Sequence, residues 1–485
     1  MRMQKTIAIV GGGVSGALTA YHLIRNDTPA RVILVEPNRE LGLGLAYSTP
    51  SYQHLLNVPA GKISALPDQP DHFLRWLQCH YNAKMTEADF APRAIFGRYI
   101  QSLLQTIPRV EHRQTYAQGC RIVGERAMLD LADGTKVLSD AVVLAVGNFD
   151  PAPLRGVAEE TIASGAYRHS AWDAATYANL PGDAPVTLIG SGLTTVDVLL
   201  RLRETGHRGQ VTTISRHGIF PRRHALYQSL EDSVISGDAP VKARDLLHHV
   251  HRAIKAGFEW RAVIDSLRER TNELWLALPL VEQQRFRRHL QRRWDVVRHR
   301  MAPPIADRVE AELAAGTLVK RRGSLHAVLP SAQGALVQFQ TGSGERAEIA
   351  AARVINCTGP NMNYRRVGST LLDSLFALGL AVAGPLGSGL WTDQAGALRN
   401  QDGSFSRILF NVGPGRQGTL LESIAVPELR HQAVELAASL TAQLHNQARA
   451  EGDAASKGVF TTGSEDALSS DSCSPEALVG YDLAS

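Results

Sequence analysis

Two glycine-rich segments carry the residues whose spacing is most typical of a chemical site. In "KTIAIVGGGVSGALTAYHL", Gly11, Gly13 and Gly16 fit G-x-G-x-x-G between a β-forming run and a helical pattern that opens with Val14 and Ser15. The first glycine permits a tight turn, the second lets the backbone approach a pyrophosphate, and the third lets the helix pack on the strand. Because strand, loop and helix follow in register, the segment predicts a dinucleotide site.

The strand after this helix indicates which dinucleotide binds. "RVILVEP" ends in Glu36, where a carboxylate accepts hydrogen bonds from ribose hydroxyls and repels a 2′-phosphate. Two later strand-and-turn segments resemble those of FAD domains of the glutathione-reductase kind. They are "DAVVLAVGN", which contains Gly147, and "RILFNVGPGRQGTLLES", which contains Gly413, Gly418 and Thr419. Pro414 stands where such turns usually carry an acid. These segments favour FAD.

The second glycine segment, "PVTLIGSGLTTVDVLLRL", repeats the design with Gly190, Ser191 and Gly192, but Thr195 occupies the third glycine position. The next strand ends in Arg216, where an acid would select NAD. An arginine fork suits a 2′-phosphate, so NADPH is the expected ligand, although a solvated arginine at a strand end is the plainer interpretation. "ARVINCTGP", which contains Gly359, closes this second site.

The elements that must position these loops form an α/β fold with two Rossmann-like dinucleotide-binding domains. We expect a glutathione-reductase-like FAD domain that is interrupted by an NADPH domain with a helical insertion. The predicted divisions are FAD domain 1–180, NADPH domain 181–330 with an insertion at about 225–300, FAD domain 331–445, and a disordered tail 446–485.

Composition narrows the chemistry. The four cysteines are scattered without a C-x-x-C pair, which excludes disulfide-reductase chemistry and predicts no metal site. Net charge is only +4 and no apolar run is long enough to span a bilayer, so we expect a cytoplasmic protein without nucleic-acid or membrane partners. Oligomeric state stays open, a homo-oligomer included.

The basic stretch "VEQQRFRRHLQRRWDVVRHR" within the insertion has apolar residues at three- and four-residue steps. That period predicts an amphipathic helix with a buried stripe of Phe286, Leu290, Trp294 and Val297. Its basic face is interpreted as solvated, or as reaching over a substrate cleft.

Over roughly residues 5–445 the sequence resembles flavoproteins akin to class B flavin monooxygenases and amino-acid N-hydroxylases. The resemblance rests on "GLGLAYSTPSYQHLLNVPAGKIS", "FAPRAIFGRYI", "INCTGP" and "GTLLESIAVPELR". It also rests on "SGAYRHSAW", where Gly165 and His169 keep the spacing of F-x-G-x-x-x-H, Ser170 follows and Trp172 supplies an aromatic. Ala163 replaces the phenylalanine, and the aromatic comes one residue early.

The resemblance implies that the His169 segment links the domains and touches both cofactors, and that the loop around Asn57 lines the flavin. Asn57 and His169 are therefore the candidate catalytic residues, and Lys62, Arg93 and Tyr99 are candidates for holding an anionic substrate. The plainer interpretations are linker packing for His169 and a local turn bond for Asn57.

The implied activity is an NADPH-dependent FAD monooxygenase of the C4a-hydroperoxide type. It would use O2 to oxygenate a heteroatom, such as an amine nitrogen, of a small-molecule substrate. Two alternatives remain: an NAD(P)H-dependent flavoprotein reductase or dehydrogenase without oxygen insertion, and a non-catalytic flavoprotein that signals redox state.

Overall fold

Two largely parallel sheets organise the computed structural model, which describes residues 4–459. The first sheet contains β1 (Lys5–Val10), β2 (Ala30–Val35), β3 (Val110–Arg113), β7 (Ala141–Leu144), β15 (Ala397–Arg399) and β16 (Phe405–Asn411). Its order is β15-β16-β7-β1-β2-β3, and only β15 and β16 pair antiparallel. The sheet is thus assembled from segments on both sides of the inserted domain.

Both faces of the first sheet are covered, which explains its apolar strands. Ile7 and Ile9 of β1 pack into a core with the first and last helices of the chain. Ala8 and Val10 face the opposite core, which includes a small antiparallel sheet. That sheet has the order β4-β5-β6, with β4 at Ala117–Val123, β5 at Arg126–Leu131 and β6 at Lys136–Ser139.

The second sheet has seven strands in the order β13-β12-β11-β10-β9-β14-β8. They are β8 (Tyr167–Arg168), β9 (Val186–Ile189), β10 (Val211–Ser215), β11 (Leu318–Ser331), β12 (Gly334–Thr341), β13 (Arg346–Ala351) and β14 (Arg353–Asn356). The strands from β11 to β8 in this order are parallel, whereas β12 and β13 extend one edge as an antiparallel hairpin.

The helices cover these sheets and build the insertion. They are α1 (Val14–Arg25), α2 (Gly44–Tyr47), α3 (His72–His80), α4 (Arg93–Gln105), α5 (Glu159–Ala163), α6 (Leu193–Glu204), α7 (Ala243–Lys255), α8 (Trp260–Ser266), α9 (Thr271–Ala277), α10 (Leu280–His289), α11 (Gln291–Arg298), α12 (Pro303–Ala314), α13 (Thr370–Ala377) and α14 (Val426–Val459). Short 3₁₀ segments lie at Ala60–Lys62, Ala174–Thr176, Tyr364–Arg366 and Pro414–Gly418.

The predicted two-domain α/β fold is confirmed, and two elements extend beyond the predicted divisions. The second sheet runs from Tyr167 to Asn356, beyond the predicted 181–330, because β12 and β13 extend its edge and β14 lies inside it. α14 continues to Val459, into the segment predicted to be disordered from residue 446. The remainder of that predicted tail, 460–485, lies outside the described residues.

The insertion is helical, and its long predicted helix is divided. α10 and α11 meet at Leu290, whose φ of −114° departs from the helical value of about −63°. Within residues 4–459 no helix combines the length and the apolar content needed to cross a bilayer.

Candidate active site

The first glycine loop lies where β1 passes into α1, and its glycines are required by close contacts. Gly11 has φ +108° and donates its N–H to the Val35 carbonyl at 2.9 Å. A Cβ at Gly11 would overlap the Ala145 carbonyl oxygen, and a Cβ at Gly16 would overlap the Gly11 carbonyl oxygen. The helix N-terminus, which begins at Val14, is therefore held at the carboxyl end of the sheet, where a pyrophosphate binds.

Glu36 is positioned at this loop as the sequence predicts. It follows β2 directly, and its Oε2 accepts the Gly12 N–H at 2.7 Å. Its Oε1 accepts the Asn38 side-chain amide at 2.6 Å, and its carbonyl oxygen contacts His112 Nε2 at 2.8 Å. A carboxylate fixed beside the glycine loop suits a ribose with both hydroxyls free.

The turn after β16 completes the FAD side. Gly413 has φ +86°, donates to Gln432 Oε1 at 2.9 Å, and lies so close to Ser15 that any side chain would collide with it. Asn411 is 1% exposed, and neither of its carboxamide atoms has a partner among the described residues. A buried donor and acceptor without partners is costly, so this edge retains capacity for a polar ligand. These residues fit FAD.

Three further predicted cofactor residues, Gly147, Gly418 and Thr419, lie in different surroundings. Gly147 has φ +71° and faces open space after β7. Gly418 packs against the Leu390 backbone, where a side chain would not fit. The Thr419 hydroxyl accepts the Thr392 N–H at 2.9 Å and lies 3.0 Å from its carbonyl oxygen. Thr419 therefore stabilises the turn, and its direct contact with FAD stays a prediction.

The second glycine loop repeats the first. Gly190 has φ +137°, donates to the Ile214 carbonyl at 2.9 Å, and a Cβ there would overlap the Cys357 carbonyl oxygen. Gly192 faces open space, and so does Gly359, which has φ +88° in the turn after β14. Thr195 is buried in the third glycine position. The loop thus keeps the turn and the open approach of a dinucleotide site.

A cluster of cationic groups surrounds this second loop. Burial lowers the pKa of His217, and the charges of Arg216, Arg292, Arg322 and Arg293 lower it further. We call the four arginines the cation cluster. Arg216 follows β10 directly, Arg322 is paired with Ser215 at the end of that strand, and Arg292 donates to Ser191 of the glycine loop. Guanidinium groups thus gather at the end of β10, the position where a 2′-phosphate is recognised.

Two members of the cation cluster come from elements that local sequence does not connect with β10. Arg292 of α11 donates to the Ser191 carbonyl at 2.9 Å and to Ser191 Oγ at 3.0 Å, while Ser215 Oγ donates to Ser191 Oγ at 2.9 Å. Arg322 lies opposite Ser215 in the register of β11 with β10. Neither arginine is expected from local sequence, and a signal exists only for Arg292, in the arginine density of the insertion.

A buried ion pair joins the two domains. Arg93 of α4 makes a bidentate contact with Asp197 of α6 at 2.8 and 3.0 Å, and both side chains are largely buried. His54 Nε2 lies 2.9 Å from the Asp197 carbonyl, and burial lowers the pKa of that histidine. The Arg93 guanidinium is therefore occupied in a domain contact, which corrects its expected role in holding a substrate.

The other proposed anion-holding residues are also used elsewhere. Tyr99 is buried in the core, contacts His72 Nδ1 at 2.8 Å, and has its pKa raised to about 12, mainly by burial. The Lys62 ammonium lies 5.6 Å from the centre of the Tyr227 ring. Tyr99 therefore belongs to the core, and Lys62 to the contact between the FAD domain and the insertion.

The linker between the domains carries the histidine motif. Gly165 has φ +75° ahead of β8, and His169 Nδ1 lies 3.5 Å from the Tyr167 hydroxyl. The Trp172 ring packs edge-on against His54 with ring centres 6.3 Å apart. The segment thus contacts both domains, while catalysis by His169 stays a prediction.

Asn57 lies at the same domain contact. Its carbonyl oxygen is 3.1 Å from His224 Nε2, and its side chain lines a narrow crevice with Arg300 and Met301. Burial and the charge of Arg300 lower the pKa of His224 to about 4. Asn57 therefore joins the FAD loop to the insertion, and a contact of its carboxamide with flavin stays a prediction.

A large cavity of about 830 Å³ lies between the insertion helices and the second domain. We call it the insertion cavity. Of the predicted apolar stripe, Phe286 is buried and Leu290, Trp294 and Val297 are partly buried, and all four line the cavity. Ile219 and Leu421 mark its approach to the two cofactor loops, because the Ile219 carbonyl accepts Ser191 Oγ at 2.8 Å and Leu421 follows the Gly413–Gly418 turn.

Comparisons with known proteins agree with an arrangement of two dinucleotide-binding domains. Residues 8–149 match a family model described as FAD-NAD(P)-binding. An uncharacterized protein of Escherichia coli (strain K12), YdhS, is 24% identical over 242 residues, which cover 46% of this chain and 43% of that protein. The chain thus spans less than half of the length of this curated relative.

Solved flavoproteins share the whole fold. Ornithine N-hydroxylase from Kutzneria sp. 744, in a structure with reduced FAD, NADP+ and L-ornithine, has a TM-score of 0.62 at 12% identity, with 91% of this chain and 99% of that chain covered. Bacillithiol disulfide reductase from Bacillus cereus has a TM-score of 0.53 at 14% identity, with the same coverage. The predicted flavoprotein fold with FAD- and NAD(P)-binding domains is confirmed.

Proposed function

We propose that this FAD-dependent oxidoreductase is an NADPH-dependent monooxygenase that oxygenates a nucleophilic nitrogen or sulfur of a small molecule in the cytoplasm. The observation that carries the proposal is the cation cluster beside an intact second glycine loop, in one chain with an FAD site. Among the described residues, the charge of Asp295 acts on Arg292, and the four arginines together carry the positive charge that suits the 2′-phosphate of NADPH.

The proposed reaction consumes one substrate, one NADPH, one proton and one O2, and yields the N- or S-oxide, NADP+ and water. When bound, FAD supplies the redox chemistry by accepting hydride from NADPH and passing the electrons to O2. The chain supplies binding and orientation. The first glycine loop and Glu36 would hold FAD, and the second loop with the cation cluster would hold NADPH.

The domain contacts would keep the site in one arrangement. The pair of Arg93 with Asp197 and the packing of Trp172 on His54 tie the linker and both domains together. The insertion cavity beside both loops has mostly apolar walls, which exclude water from a reacting centre. A monooxygenase depends on such exclusion because water diverts oxygen to hydrogen peroxide.

The second candidate function is a reductase that passes electrons to a quinone or another small acceptor. The shortened linker motif favours it, since Ala163 and the early Trp172 depart from the monooxygenase pattern. A disulfide acceptor is disfavoured because Cys120 and Cys357 are buried and Cys79 is an isolated exposed thiol.

The two functions differ in the acceptor that receives the electrons of NADPH during turnover. FAD-loaded protein is supplied with NADPH and O2, with and without a thioether, and NADPH oxidation, hydrogen peroxide and sulfoxide are measured. The monooxygenase proposal predicts that sulfoxide appears and hydrogen peroxide falls by an equal amount. NADPH oxidation that is accelerated by a quinone, with no sulfoxide or amine oxide from any probe, would overturn it.

A further inference from the structure

The insertion cavity has the size and chemistry of a binding site that neither glycine loop explains. Its volume of about 830 Å³ lies within the range of about 300–1,000 Å³ that small-molecule sites occupy. Far more space is available than a pyrophosphate or a ribose needs, and the lining side chains are mostly apolar. The cavity is therefore built for something other than the polar parts of the cofactors.

The walls of the cavity are fixed by tryptophans whose polar atoms are bonded outside it. Trp275 Nε1 donates to the Thr419 carbonyl at 3.1 Å, and Trp294 Nε1 donates to Glu422 Oε1 at 2.8 Å. Because both indole N–H groups are satisfied by the FAD-side segment, these side chains present apolar ring surface to the cavity. The same two bonds attach the insertion to the segment that follows the FAD turn.

Charged lining groups stand at the solvent side of the cavity. Arg222, Arg293 and Lys320 are exposed, and so is Glu310, the one carboxylate among the lining residues. Two further lining arginines are partly buried and paired outside the cavity, Arg223 with Asp307 and Arg261 with Glu259. An amino-acid substrate buried here would need a partner for its ammonium group, since an unpaired buried charge is strongly unfavourable. The interior offers no carboxylate for that purpose, which argues against ornithine-like or lysine-like substrates.

We propose that the insertion cavity holds an apolar substrate, a hydrocarbon-rich molecule that carries one nucleophilic sulfur or nitrogen atom. This inference rests on the proposed function and names its substrate class. The cavity extends from Ile219, whose carbonyl accepts the Ser191 hydroxyl of the second glycine loop, to Leu421, which follows the Gly413–Gly418 turn. A ligand seated in it would lie between residues that adjoin the two cofactor segments.

Binding to the oxidised, FAD-loaded protein tests the inference without turnover. Equilibrium dialysis is used with alkyl methyl thioethers of increasing chain length, and with L-ornithine and L-lysine as polar comparisons. Affinity should rise about fourfold with each added methylene until the cavity is filled. An affinity that does not depend on chain length, or an amino acid that binds more tightly than the longest thioether, would overturn the inference.

A pair of variants on α7 locates the site. Val250 lines the cavity, whereas His248 on the same helix is exposed and does not. Val250→Trp should weaken binding of the longest thioether at least tenfold and leave the shortest nearly unchanged, while His248→Trp should leave both unchanged. Leu247→Phe, a smaller filling change in the same wall, should shorten the preferred chain. All variants must retain FAD, and equal affinities in all of them would overturn the assignment.

The outcomes for the cavity and for the proposed function are separable. Oxygenation of a polar amine with no thioether binding would remove the cavity from substrate recognition and leave the monooxygenase proposal intact. Thioether binding that is lost in Val250→Trp, with no oxygenated product from NADPH and O2, would keep the apolar site and refute the substrate role.

Discussion

Arg216→Ala should weaken NADPH binding and leave NADH binding almost unchanged. A charge-assisted hydrogen bond contributes about 1.5–3 kcal/mol, which corresponds to roughly 10- to 150-fold in affinity. Arg216 is exposed and the other three arginines of the cation cluster remain, so screening places the loss at the lower end, about tenfold. NADH lacks the 2′-phosphate, so its dissociation constant should change by less than about twofold.

The assay is anaerobic stopped-flow reduction of the bound FAD at several nucleotide concentrations, which yields a dissociation constant for each nucleotide. Arg321→Ala is the matched control. Arg321 precedes Arg322 on β11 and its side chain projects to the opposite face of the strand. Raising ionic strength should weaken the binding of NADPH more than the binding of NADH. Equal affinities of the wild type for both nucleotides, or equal losses in both variants, would refute the assignment of the cation cluster.

Three further predictions concern the domain contact and the FAD turn. Arg93→Ala leaves Asp197 buried and unpaired and should lower the free energy of unfolding by about 3–5 kcal/mol in chemical denaturation. Burial lowers the pKa of His224 in the folded protein to about 4, so its contribution to the free energy of unfolding is full above pH 6.5 and is lost as pH falls toward 4. His224→Gln should flatten this pH dependence of stability, which has an upper limit of about 3 kcal/mol. Gly413→Ala forces a side chain onto φ +86° against Ser15 and should reduce the FAD content of purified protein.

Each of these predictions has an outcome that contradicts it. A double variant, Arg93→Met with Asp197→Leu, should recover part of the lost stability, and no recovery would show that the charges are not the cause. An unchanged pH profile in His224→Gln would assign the acid sensitivity to other groups. Full FAD occupancy in Gly413→Ala would remove this turn from cofactor binding.

The local design of both nucleotide sites is predictable from sequence because it depends on short-range geometry. Glycines at Gly11 and Gly190 are required by turns that touch the neighbouring strand, and both show the same close approach to a carbonyl oxygen. Glu36 is found at the end of β2, and the apolar stripe of the insertion lines the insertion cavity. Period and spacing suffice for such features.

The features that were not predicted from sequence depend on contacts between distant segments of the chain. Arg292 meets Ser191 across about a hundred positions, and Arg93 meets Asp197 across a similar separation. A single sequence contains no record of those pairs, so Arg93 was expected to hold a substrate. The pairing of β14 with β8 and β9, beyond residue 330, is not visible in the local sequence pattern for the same reason.

Single-turnover oxygen uptake tests the central claim most directly. FAD-loaded protein is reduced by one equivalent of NADPH without oxygen and is then mixed with oxygenated buffer. Oxygen consumption and hydrogen peroxide release are followed separately. The monooxygenase proposal predicts that oxygen is consumed well before hydrogen peroxide appears while NADP+ is bound, and that the delay shortens when NADP+ is removed. Simultaneous oxygen consumption and hydrogen peroxide release, with and without NADP+, would contradict the proposal and favour a reductase.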